Sequence, residues 1–107
     1  QSRSFTWVDD VVEYLIKLAE IKAYGEVFNI GQTEEITIKA LAELVINKSN
    51  SKSNLIYKSH EEVFGKSFED PTRRTPGIDK IVKFTGIKPT KNIEFMVEKI
   101  IDFKQNL

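Results

Sequence analysis

The chain has 107 residues, 40% hydrophobic and 30% charged, the balance of a soluble globular unit rather than a disordered one. Its 16 basic and 16 acidic residues cancel, so no strong net field draws it toward nucleic acid or an anionic membrane. It has no cysteine and one histidine, which excludes disulfides, thiolate metal sites and histidine-rich metal centres.

No apolar run approaches the ~18 residues needed to span a bilayer. Gln1-Ser2-Arg3 runs straight into a patterned segment without a signal-peptide profile, and a cytoplasmic location is the expectation. Phe5 to Val8 are aromatic and β-branched and predict a short strand. Asp9 and Asp10 stand where a helix begins and are expected to cap it. Val11, Val12, Leu15, Ile16, Leu18 and Ala19 then recur at helical spacing, predicting a helix from about Asp10 to Ala23 that stops near Gly25.

Val27-Phe28-Asn29-Ile30-Gly31 predicts a buried strand ending in a glycine turn. Thr37 is placed to cap a second helix, whose apolar face carries Ile38, Leu41, Ala42 and Val45. Asn47 to Asn54 is a polar loop, and Leu55-Ile56-Tyr57 a third short strand. His60 to Pro76 shows no sustained period and is the longest irregular segment, a place where function often resides. A helix from about Ile78 to Thr85 follows, stopped by Gly86. A last one carries Ile93, Met96, Val97, Ile100, Phe103 and Leu107 on one face. The fold class is therefore α/β, with about four helices and three short strands.

No catalytic constellation is visible. The five glycines (Gly25, Gly31, Gly65, Gly77 and Gly86) are too scattered for a dinucleotide-binding loop. No tyrosine has a lysine four positions on, because Tyr14, Tyr24 and Tyr57 are followed at that offset by Leu18, Phe28 and Glu61. His60 has nothing nearby in sequence to orient it as a base, and Glu61 and Glu62 read as solvated. Neither catalytic nor metal-binding residues are assigned.

Arg73-Arg74 stands out, set between Pro71 and Pro76. The prolines restrict the backbone and lower the entropy lost on engaging a ligand. Each guanidinium presents a planar fork of donors that matches phosphate. The plainer reading makes both arginines solvated charges, paired with Glu69 or Asp70 and contributing about 0–1 kcal/mol. Arg3, two residues before an aromatic segment, is open to the same two readings.

Taken in order, four segments resemble the extended short-chain dehydrogenase/reductase family of NAD-dependent nucleotide-sugar epimerases and dehydratases. Arg3-Ser4-Phe5-Thr6-Trp7-Val8-Asp9-Asp10-Val11-Val12 resembles the family's R-x-F-x-[YH]-V-x-D-[LV]-[AV] segment. Phe28-Asn29-Ile30-Gly31, with Ile36-Thr37-Ile38 after it, is similar to F-N-[IL]-G…[IV]-[ST]-[IV]. Asp70 to Ile81 resembles D-x-x-R-R-x-P-D-I-S-K-A, and Gly86-Ile87-Lys88-Pro89 resembles G-[WY]-x-P. Departures are Trp7 for Tyr or His, Gly77 for aspartate and Ile87 for an aromatic residue.

The resemblance implies the carboxy-terminal, substrate-binding part of such an enzyme, be it an epimerase, a dehydratase or a decarboxylase, nearest to UDP-glucose 4-epimerase, an isomerase of carbohydrate metabolism. It implies that Arg3 and Arg74, with Arg73 as a further basic group, bind the diphosphate of a nucleotide-diphosphate sugar. It makes Asp10 a structural helix cap. The family's glycine-rich loop and Tyr-x-x-x-Lys base are absent from the sequence. The expectation is that NAD belongs to the full-length parent, that this piece alone binds none and is inactive, and that its partner is an upstream Rossmann half. The rival expectation is a stand-alone interaction module that self-associates as a homo-oligomer and binds no ligand.

Overall fold

The computed structural model describes residues 1–59 and 73–107. The start of the irregular segment, including His60, Glu61, Glu62, Gly65, Glu69, Asp70 and Pro71, lies outside the described residues, as does the side chain of Arg73.

Four helices and three two-residue strands are formed among the described residues: β1 (Ser2–Arg3), α1 (Val8–Glu20), β2 (Ile36–Thr37), α2 (Ile38–Ser49), β3 (Arg73–Arg74), α3 (Asp79–Thr85) and α4 (Ile93–Gln105). The fold class is α/β as expected, but the strands are not the ones the residue pattern predicts. Phe5 to Trp7 join no ladder. Phe5 and Trp7 instead line an apolar cleft against α2 and α4, and the Trp7 ring meets Phe95 edge-on at 5.3 Å. Val27 to Gly31 and Leu55 to Tyr57 form no strand either. Their apolar composition marks strand propensity, but a strand is made by backbone pairing, and they form no ladder among the described residues.

Helix α1 begins two residues earlier than predicted and ends at Glu20. It closes in a Schellman turn, with Ala23 N–H donating to Leu18 O and Lys22 N–H to Ala19 O. Lys22 takes the left-handed conformation there, at φ 55°, a position that glycine usually fills. The expected capping role of Asp9 and Asp10 is not what the structure shows. The residue at the cap is Trp7, without a side-chain cap bond, and Asp9 accepts from the Trp7 indole at 3.1 Å.

Thr37 does cap α2, accepting from Ala40 N–H at 3.0 Å. Asn92 does the same for α4, accepting from Phe95 N–H at 2.9 Å. Gly86 ends α3 at φ 71°.

The core centres on Tyr14, Ile78 and Ile81, with Leu18, Phe28, Ile30, Val82 and Ile87 packed around it. Met96 and Val97 of α4 are buried in a second apolar region, where α4 lies against α2. Lys48 of α2 and Glu98 of α4 close that contact with an ion pair at 2.8 Å.

The inward line of α1 is Asp10 and Tyr14, one turn apart. The more apolar line, Val8, Val12, Leu15 and Ile16, is exposed. Helical spacing identified an amphipathic helix correctly but does not say which stripe this chain covers.

Asp10 has a structural role of a different kind from the cap expected. Its carboxylate is buried and accepts from Thr90 Oγ1 at 2.7 Å, Thr90 N–H at 3.1 Å and Lys91 N–H at 3.2 Å. It therefore ties α1 to the loop that leads into α4. One turn on, Tyr14 donates its hydroxyl to Ile87 O at 3.0 Å. Burial, and secondly the Asp10 charge, raise the Tyr14 pKa above the ordinary tyrosine value, which keeps the phenol a neutral donor.

Candidate functional site

The three strands make one sheet in the order β2-β1-β3, with β1 in the middle. β1 runs antiparallel to β2, pairing Ser2 with Thr37 and Arg3 with Ile36. It runs parallel to β3, pairing Ser2 with Arg73 and Arg3 with Arg74. Two arginines 71 positions apart in sequence are thus direct neighbours across a ladder. Adjacent strands lie ~4.8 Å apart and residues in register share a face of the sheet, so Arg3 and Arg74 form a pair.

Arg3 is half-buried and its Nη1 donates to Ser2 O at 2.8 Å, a contact that turns one terminal nitrogen of the guanidinium back onto its own strand. Arg74 is exposed. Arg73 shares β3, registered with Ser2. Among the described residues a carboxylate stands near the pair: Glu35, the residue before Arg3's antiparallel partner, accepts a hydrogen bond from the Thr75 hydroxyl.

Two like charges in adjacent register repel. The arrangement is complementary to an anion with several oxygens, because each guanidinium can offer a fork of charge-assisted donors to it.

Sequence reasoning singled out the arginines and the structure brings Arg3 and Arg74 together. It missed Glu35 and Thr75, and no signal marked them: Glu34-Glu35 reads as solvated charge and Thr75 as a loop filler. It also missed the apolar cleft of about 490 Å³ lined by Phe5, Trp7, Leu41, Val45, Met96 and Ile100, whose walls offer almost no polar groups for chemistry.

Four of the five glycines lie among the described residues. Gly25 follows α1, Gly31 lies in a coil, Gly77 precedes α3 and Gly86 ends it. None of these positions makes the glycine-rich turn between a strand and a helix N-terminus that cradles a dinucleotide's pyrophosphate in the doubly wound fold. No cluster of three or more potential metal ligands occurs among the described residues. No helix among them is long and apolar enough to cross a membrane.

The fold is a short α/β unit with two arginines paired on a small sheet. Comparison with known proteins gives it closer relatives. The chain is 29% identical over 103 residues to a UDP-N-acetyl-alpha-D-glucosaminuronate decarboxylase of Bacillus cytotoxicus, covering 96% of this chain and 32% of that protein. It is 31% identical over 108 residues to UDP-glucuronic acid decarboxylase 2 of Arabidopsis thaliana, covering all of this chain and 23% of the relative. It is 33% identical over 116 residues to the bifunctional polymyxin resistance protein ArnA of Wigglesworthia glossinidia brevipalpis, covering 96% of this chain and 18% of the relative. No family model matches the chain.

The chain therefore spans a third or less of these curated relatives, and it is similar to part of nucleotide-sugar enzymes. That agrees with the motif resemblance at the level of the superfamily. The first two relatives are decarboxylases by name, which is one of the three reaction types that the motif resemblance leaves open and not the epimerisation it puts first.

Proposed function

We propose that this chain is the nucleotide-sugar-binding part of a longer NAD-dependent enzyme, and that Arg3 and Arg74 grip the diphosphate of a UDP-sugar. The supporting observation is their in-register pairing across β1 and β3. A diphosphate presents oxygens on two linked phosphorus centres, so two adjacent guanidinium forks suit it better than one. Arg73, beside Arg74 on the same strand, is a further cationic group in this reading.

Among epimerases, dehydratases and decarboxylases, the relatives favour a uronic-acid decarboxylase. The contribution of this chain is positioning: holding the diphosphate fixes the sugar at the far end of the ligand, and reacting geometry is demanding enough for that to matter greatly to rate. NAD would be held by residues outside this chain, and the upstream dinucleotide-binding half is the partner this reading implies.

Calorimetric titration tests the reading. UDP should bind and uridine should not. Arg3→Ala and Arg74→Ala should each weaken UDP by about 10- to 100-fold, the cost of a charge-assisted contact. Undiminished UDP affinity in Arg74→Ala would reject it.

The exposed Val8, Val12, Leu15 and Ile16 line on α1 favours a second reading, a self-associating module without a ligand, since apolar surface of that kind marks contact faces. Under that reading the molar mass in solution exceeds that of one chain and UDP gives no heat.

A further inference from the structure

We infer that Gly31 is a positioning residue for the arginine pair: the space left by its missing side chain is where Pro76 seats, and this seat fixes β3 beside β1. A Cβ built on Gly31 would stand 2.6 Å from Pro76 Cγ and 3.5 Å from Pro76 Cβ. Carbon atoms in good contact sit at ~3.5–4.0 Å, so the first approach is a collision. Gly31 does not have the left-handed φ found at Gly25 and Gly86. The requirement at position 31 is therefore room, not backbone freedom.

The collision has no easy relief. Pro76 Cγ belongs to a ring closed onto its own backbone nitrogen, so it cannot swing aside like the tip of a long side chain. Moving it moves the main chain two residues after Arg74. Because β3 is only two residues long, little ladder is present to resist that displacement.

The residues after Gly31 reach the same two strands. Gln32 N–H donates to Thr6 Oγ1 at 2.9 Å, three residues beyond Arg3. Glu35 accepts from the Thr75 hydroxyl, and Ile36 pairs with Arg3. Residues 31–36 thus reach β1 at one side and β3 at the other, with Gly31 set against Pro76. Gly77, a neighbour of Pro76, has nothing within 4 Å of an added Cβ and supplies the matched control.

The inference rests on the diphosphate reading for its affinity measurement only. The experiment compares wild type, Gly31→Ala, Gly31→Ala/Pro76→Ala and Gly77→Ala by cross-strand nuclear Overhauser contacts between residues 3 and 74, alongside UDP titration. Gly31→Ala should lose those contacts and bind UDP about tenfold more weakly or worse. Removing the ring in the double variant should restore both, and Gly77→Ala should match wild type. Tyr14→Phe, which lowers stability without touching the sheet, should leave UDP affinity unchanged, separating positioning from general destabilisation.

Unaltered cross-strand contacts in Gly31→Ala would overturn the inference. So would a double variant as disordered as the single one, since the ring would then not be the obstacle. If wild type ignores UDP, or Arg74→Ala binds it equally well, the diphosphate reading fails. The contacts alone then decide the role of Gly31.

Discussion

The region around Asp10 and Tyr14 and the small sheet around Arg3 and Arg74 are held by different means. The first is buried, and each polar group in it is matched: three donors converge on one carboxylate, and one phenol reaches one carbonyl. The second consists of two-residue strands paired by short backbone ladders, with side-chain hydrogen bonds and one glycine–proline approach at the margin. Stability concentrates where the chain is closed to water, and the charged site is laid on its thin edge. Ligand-engaging segments are commonly drawn from this less stable end of a structure.

That contrast breaks most readily at Asp10. Asp10→Ala would leave the part-buried Thr90 and Lys91 donors without their acceptor, and should cost about 2 kcal/mol, read from the urea midpoint. A cost below about 0.5 kcal/mol would mean the buttress is not what holds α1.

Next comes Tyr14→Phe, expected to cost about 1 kcal/mol. It should also change the alkaline limb of the stability curve. Because the folded Tyr14 pKa is raised, the unfolded chain surrenders that proton first. The associated stability is complete below about pH 10 and declines as pH climbs toward the folded value. The phenylalanine variant should lack that part of the decline when denaturation is measured from pH 8 upward.

At the boundary between the regions, Thr37→Ala removes the α2 cap and should cost about 1 kcal/mol in thermal unfolding. On the site itself, Arg74→Ala should alter stability by less than about 0.5 kcal/mol while changing ligand affinity. A large loss of stability there would erase the distinction between scaffold and site.

The helices were legible because apolar spacing, Thr37 and Gly86 are local signals. The strands were not. Val27–Ile30 and Leu55–Tyr57 carry strand-forming residues but join no ladder among the described residues, whereas Ser2–Arg3 and Arg73–Arg74, which do pair, carry no strand signature. Pairing is a non-local fact that residue preference does not encode. The arginines were legible as chemistry through their donors and the flanking prolines, but their adjacency came only with the ladder. Asp10 illustrates the same limit: position suggested a cap, while its acceptors' partners lie 80 residues away.

That span bears on how the polypeptide is made. A ribosome adding about 5–20 residues each second takes roughly 4 to 16 seconds to travel from Asp10 to Thr90. Throughout that interval α1 has been synthesised but its buttress has not, so Tyr14 waits without Ile81 and the carboxylate without its donors. Nascent chains halted before position 90 should consequently be held by chaperones and cut readily within α1, and those released beyond Lys91 should resist.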